Sequence, residues 1–169
     1  KPLYASKGAR IGEHYTSIRA FSVRSVALGG DSVIRGVGSD ITIGPDRMGV
    51  AACFGGPAAT PTDAINILED GKLGGLELSR EALEKIARPL GMTVQELARL
   101  VVEKVNHILK ESIKKMFETW EKEPLYKVYE VVNKRSVKID KIIGIGGAAQ
   151  SFVPAVANSM GCSFMVHEY

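Results

Sequence analysis

The run Lys141-Ile142-Ile143-Gly144-Ile145-Gly146-Gly147-Ala148-Ala149 passes directly into the helical pattern Ser151-Phe152-Val153-Pro154-Ala155-Val156-Ala157-Asn158-Ser159-Met160-Gly161. A short apolar strand that ends in glycines and feeds a helix admits few arrangements, because the turn lets helix and strand pack closely. With Ser163 to Val166 as a second strand, the segment predicts a β-turn-α-β unit whose first strand runs from Lys141 to Ile145 and whose helix runs from Ser151 to Met160. Pro154 is expected in the first helical turn, where its missing N–H has no partner to lose.

The turn admits three readings. Backbone N–H groups at glycines, next to the positive end of a helix, suit a phosphate group. Gly144, Gly146 and Ala149 also fit the dinucleotide pattern G-x-G-x-x-G/A, with Glu168 standing where a ribose-binding acid belongs. That second reading needs further strands and is at odds with the helices that precede the unit. The third reading is close packing of helix on strand that only glycine permits.

The first third of the chain is built from short runs rich in Val and Ile: Phe21 to Leu28, Ser32 to Val37, and Asp40 to Ile43. Gly29-Gly30-Asp31 and Gly38-Ser39 separate them as hairpin signals, so a three-stranded antiparallel meander is expected. At the first tip, Gly29, Gly30, Asp31 and Ser32 form a second candidate phosphate site, with exposed amides and a hydroxyl. Asp31 is there either as a metal ligand or as a good turn former. Gly44 to Pro61 reads as a long loop, dense in Gly, Pro and Ala.

A helical middle follows. Thr62-Asp63 is expected to cap a short helix that ends at Gly71, and Ser79 a second that stops at Gly91. Thr93-Val94-Gln95-Glu96 is a capping box that opens a long helix, bounded by Pro124, with the stripe Leu97, Val101, Val105, Ile108, Ser112, Met116 and Trp120. The fold class expected is mixed α/β (α+β), as one domain over residues 1–169, with no internal repeat. The start at Lys1 rather than Met suggests a fragment of something longer.

Charge and cysteine usage narrow the function classes. Lys and Arg number 22 against 19 Asp and Glu, a net charge of +3 too evenly spread for a nucleic-acid or membrane surface. The cluster Lys110, Lys114 and Lys115 reads as a solvated helix face, since no aromatic residues are interleaved for base stacking. Cys53 and Cys162 lack a CxxC partner, so a reduced, cytoplasmic protein is expected. Cys53 reads as a small buried hydrophobe rather than a reactive thiol, and His14, His107 and His167 are not spaced as metal ligands. No apolar run reaches the roughly 18 residues of a spanning helix.

Taken together, Ser25 to Ser32, Ile43-Gly44-Pro45, Gly49 with Cys53-Phe54-Gly55-Gly56, Pro61-Thr62-Asp63-Ala64, Val105-Asn106 and Gly146-Gly147-Ala148 resemble the hydantoinase A and oxoprolinase family. The resemblance covers about Ser25 to Val166 and implies an actin-like ATPase (ribonuclease H-like) fold. It implies that Gly29, Gly30, Asp31 and Ser32 form a phosphate hairpin and that Gly146, Gly147 and Ala148 contact adenosine. The cofactors implied are ATP and Mg2+, with Asp31 as the metal candidate, and the substrate a small cyclic amide opened at the cost of ATP. The family's first phosphate loop, an Asp-Gly-Gly segment, would lie upstream of Lys1, so the chain alone is expected to be inactive. This sequence departs from the family at Ala27 and Asp31, where glycines are usual, and at Val50-Ala51-Ala52, where Pro-Gly-Pro is usual. A nicotinamide-dependent oxidoreductase and a non-catalytic subunit of the same fold remain as alternatives, as does assembly with a partner subunit or a second copy.

Overall fold

A computed structural model describes residues 4, 5, 8–11, 14–121 and 138–167. Six short strands and four α-helices are found there, and the strands pair as three two-stranded sheets. β1 (Arg10–Ile11) and β2 (His14–Tyr15) form a small antiparallel pair. Beside it, Tyr4 bridges Phe21, with their rings 5.0 Å apart and the Arg19 guanidinium 4.1 Å above Tyr4.

The meander is a hairpin. β3 (Ser32–Val37) pairs antiparallel with β4 (Asp40–Arg47) through Ile34↔Ile43 and Val37↔Asp40, but Phe21 to Leu28 forms no third strand. Its apolar residues change face between Val23 and Val26, so no single face can be buried, and Val23 stays 79% exposed. The Leu28 N–H also turns back to the Val26 carbonyl at 2.8 Å, which kinks the backbone there. β4 in turn runs four residues past Ile43, into what reads as loop in the sequence. Gly44, at φ +67°, passes so close to Ala27 that a Cβ would lie 2.5 Å from the Ala27 carbonyl oxygen. Beyond β4, the loop contains a single 3-10 turn at Ala52–Phe54.

The helices begin earlier than their caps suggest. α1 spans Pro61–Leu68 with Thr60 as N-cap, so Asp63 is the third residue of the helix rather than its cap. Pro61 occupies the first helical position, where its fixed φ is already helical. α2 spans Leu76–Ala87 with Gly75 as N-cap, which puts Ser79 inside the helix and fully buried. Gly91 ends this segment at φ +68°. α3 (Val94–Glu121) starts at the expected capping box: Thr93 N–H donates to Glu96 Oε2 at 2.7 Å and Glu96 N–H to Thr93 Oγ1 at 3.2 Å. Its stripe is buried at Leu97, Val101 and Val105, while Pro124 lies outside the described residues.

The last unit forms as the sequence implies. β5 (Lys141–Gly144) pairs in parallel with β6 (Ser163–Val166) around α4 (Ala149–Met160). Because α4 starts two residues early, Pro154 is its sixth residue and not in the first turn, so the Gln150 carbonyl lacks its usual helical donor. The core has two parts. Ile34, Ile41, Ile67, Leu83, Leu97 and Val101 join the hairpin to the three helices, while Ile65, Val105 and Phe152 join these helices to α4. No described helix is long and apolar enough to cross a membrane.

Candidate functional site

The two glycine turns, 115 or so residues apart in sequence, meet in space. Gly29 and Gly30 on one side, and Gly144 to Ala149 on the other, line one cleft of about 390 Å³. Its remaining walls are apolar: Leu28 from the segment before the Gly29-Gly30 turn, Val105 and Leu109 from α3, Phe152 and Val153 from α4. A second cleft of about 370 Å³ shares Gly30, Gly147 and Ala148 with the first, so these three residues form a ridge between them. The second is more polar, with Asp31, Thr62 and Ser151 facing Phe54 and Leu73.

Each glycine has its own reason for being there. In the turn that precedes β3, Ser32 N–H donates to the Gly29 carbonyl at 3.1 Å, and Gly29 N–H donates to Ser32 Oγ at 2.9 Å. The Ser32 hydroxyl therefore closes the turn and is buried, rather than open to a ligand. The Gly30 carbonyl accepts both the N–H and the hydroxyl of Thr62, at 3.0 and 2.9 Å, which docks the turn on the start of α1. A Cβ on Gly30 would lie 2.8 Å from Thr62 Oγ1 and 3.4 Å from Ala148 Cβ, so only glycine permits this approach. Gly144 serves packing: a Cβ there would lie 2.7 Å from Val153 Cγ2 and 2.9 Å from Ala149 Cβ. Gly29 and Gly147 are different, since a Cβ on either meets nothing within 4 Å. Among the described residues, the amides of Gly30, Asp31, Gly147 and Ala148 donate no hydrogen bond. Such free amides, from two turns that meet, are the kind of donor an anion takes.

Asp31 sits at the rim of the second cleft with its carboxylate on Arg47, 2.7 Å away. Among the described residues no three His, Cys, Asp or Glu side chains gather as a metal site. Glu168, the ribose-binding acid of the dinucleotide reading, lies outside the described residues. The basic cluster is a helix face: Lys110 Nζ donates to the Ser159 carbonyl at 3.0 Å and Lys114 pairs with Glu111 at 2.8 Å.

The residue least visible in the sequence is Asp63. Fully buried, it accepts the amides of Ala52, Cys53 and Thr60 and the hydroxyls of Thr60 and Ser79, all between 2.7 and 3.0 Å. Asn66, one turn on and also buried, donates to Ser79 Oγ at 3.0 Å and accepts the amides of Leu73 and Gly74. Together they fasten the 3-10 turn, and hence Phe54 at the second cleft, to α1 and α2. The order Thr60-Pro61 was the available signal, because Pro at a first helical position marks the residue before it as the cap. Burial, and then the Asp63 carboxylate, push the Cys53 thiol up to about 11, so Cys53 is an inert buried side chain at neutral pH.

Residues 4–169 match the family model described as Hydantoinase/oxoprolinase. Among solved structures, the chain is similar to the ATP-dependent caprolactamase from Pseudomonas jessenii, with 23% identity and a TM-score of 0.60 over 82% of this chain and 20% of that one. The chain thus spans about a fifth of that protein's length, and the likeness is one of fold. No curated protein matches.

Proposed function

The chain belongs to the hydantoinase/oxoprolinase family, and from that premise we propose that it is the nucleotide-binding portion of an ATP-dependent hydrolase of cyclic amides. The observation that carries this reading is the meeting of the two glycine turns at one ridge, with open amides on it and an apolar cleft beside it. A nucleotide has the same division, a flat base at one end and a chain of anions at the other. The apolar cleft bounded by Leu28, Leu109 and Phe152 suits the base, and the polar cleft with Thr62 and Ser151 suits the phosphates. Gly30 fits this assignment because a side chain there would fill the ridge. On this reading the Gly29 to Ser32 turn is the phosphate turn, Gly146 to Ala148 is the adenosine turn, and the fold is that of actin-like ATPases.

When bound, ATP supplies the phosphoryl group that activates the ring carbonyl toward water. The chain's own residues position it: backbone donors and the apolar wall fix its place, and phosphoryl transfer depends mostly on such placement and on charge neutralisation. For Mg2+ the fit is poorer. Mg2+ takes one or two carboxylates together with phosphate oxygens, and Asp31 is a single carboxylate already paired with Arg47. It can serve only as one ligand of an ion that arrives with the phosphates.

We take the chain as one part of a larger protein, whose remainder closes the cleft and holds the cyclic amide. The unpaired Cys53 and Cys162 accord with a reducing compartment. Calorimetric titration of the full-length protein tests the reading: ATP or ADP is expected to bind. Binding of NADH with neither ATP nor ADP would give the site to an oxidoreductase instead. Binding of ATP without any hydrolysis or ring opening in the complete assembly would favour the non-catalytic subunit.

A further inference from the structure

Resting on the reading of the chain as part of a cyclic amide hydrolase, we propose that Phe54 and Leu73 form the apolar wall on which the substrate's ring lies, beside the nucleotide phosphates. The second cleft has two unlike halves. Thr62 and Ser151 adjoin the ridge: the Thr62 hydroxyl donates to the Gly30 carbonyl at 2.9 Å, and Ser151 stands about one turn of α4 beyond Ala148. Hydroxyls and the free amides of the ridge suit a chain of phosphates. Phe54 and Leu73 line the same cleft, 57% and 38% exposed, and a polyanion gains nothing from them. A cyclic amide has the matching division, a carbonyl and an N–H on one edge and ring carbons on the other.

An exposed phenylalanine standing singly calls for no explanation, but this one is fixed from two sides. Its N–H donates to the Ala51 carbonyl at 3.0 Å, and the two preceding amides, of Ala52 and Cys53, end on the Asp63 carboxylate at 3.0 and 2.7 Å. On the other side, the Cys53 carbonyl accepts the Gly75 N–H at 2.9 Å. This bond brings residues 73–75 against the ring, so closely that a Cβ on Gly74 would lie 3.1 Å from Phe54 Cε1. Asn66 Oδ1 in turn holds the amides of Leu73 and Gly74 at 3.0 and 3.1 Å. Asp63 and Asn66, both fully buried, thus fix the segments that carry Phe54 and Leu73 and leave both side chains open to the cleft. A wall ordered before its ligand arrives loses little entropy on binding. It also stands where the chemistry needs it. In the activation step the ring oxygen bonds the terminal phosphorus as the bond from that phosphorus to ADP breaks, so the ring must lie in contact with the terminal phosphate.

The experiment saturates the full-length protein with a non-hydrolysable ATP analogue and titrates it calorimetrically with hydantoin, 5-oxoproline and valerolactam, a plain lactam. At least one ring is expected to bind. In Phe54→Ala its affinity is expected to fall about ten-fold, and more for valerolactam, whose ring is mostly methylene, than for hydantoin, which has a single one. Affinity for the analogue and the melting temperature stay close to wild type, and Phe54→Leu, which keeps an apolar face, recovers most of the ring affinity. If the alanine variant misfolds, Leu73→Ala carries the same comparison on the other half of the wall. Unchanged ring affinity in a folded variant overturns the proposal, and so does an equal loss for ring and nucleotide, the mark of a turn displaced as a whole. Wild-type protein that binds the analogue and none of the rings refutes the wall and leaves the nucleotide reading standing. Binding of neither removes both.

Discussion

The Ser79 hydroxyl of α2 donates to the Asp63 carboxylate of α1 at 2.9 Å, in a place that solvent does not reach. This bond is one of five on the same carboxylate, and the others come from the Ala52–Phe54 turn and from the start of α1. Asp63→Ala leaves the buried amides of Ala52 and Cys53 without acceptors. At about 1–3 kcal/mol for each unsatisfied donor, the loss is expected to be at least about 2 kcal/mol, read by urea unfolding. A loss under about 1 kcal/mol would mean that the turn does not depend on Asp63.

Gly30 and Gly147 lie on one ridge but should respond oppositely to substitution. Gly30→Ala drives a Cβ to within 2.8 Å of Thr62 Oγ1 and is expected to lower the melting temperature by displacing the Gly29 to Ser32 turn from α1. A Cβ added at Gly147 meets nothing within 4 Å, so Gly147→Val is expected to change stability much less than Gly30→Ala, as for exposed substitutions elsewhere. Its added carbons project into open space at the cleft, and nucleotide affinity should be lost. Unchanged ATP affinity in a folded Gly147→Val protein would remove the ridge from the site.

Local chemistry explains what was legible in the sequence. The capping box at Thr93 and Glu96 and the β5-α4-β6 unit each declare themselves over a few neighbouring residues and formed close to where they were expected, whereas Gly29-Gly30 makes a turn that is not the tip of a hairpin. The Phe21 to Leu28 run misleads because β propensity without a face to bury does not make a strand. Helix starts are displaced for a local reason: the hydroxyls of Thr62 and Ser79 bond elsewhere, and Asp63 caps α1 from its third position, by accepting the Thr60 N–H, instead of standing as the N-cap. Ser79 spends its hydroxyl on a residue 16 positions away, and no local pattern reports that. The same holds for the convergence of Gly30 with Ala148, which depends on how α1 and α4 pack.

Cys53 makes stability depend on pH in the alkaline range. Its ordinary value is 9.0, and burial raises it in the fold to about 11. Ionisation therefore favours the unfolded chain, so the contribution is intact below pH 9.0 and declines as pH rises toward about 11. Cys53→Ala should flatten this part of the stability profile, and in native wild-type protein the thiol should resist alkylation at pH 7. Rapid labelling of native protein at pH 7 would show a thiolate that the burial of Cys53 does not allow.

The Asp31–Arg47 pair separates structure from ligand binding at the second cleft. Both side chains are substantially solvated, 31% and 66% exposed, and such pairs are worth about 0–1 kcal/mol. Asp31→Asn is therefore expected to leave unfolding almost unchanged. If Asp31 contributes one oxygen to an ion held by the nucleotide phosphates, the same variant should need several-fold more Mg2+ for half-maximal ATP binding in the full-length protein. Arg47→Ala should act in the reverse direction, because it frees the carboxylate from its guanidinium and lowers the Mg2+ required. If both variants follow the wild-type Mg2+ curve, Asp31 is only a turn residue held by an arginine.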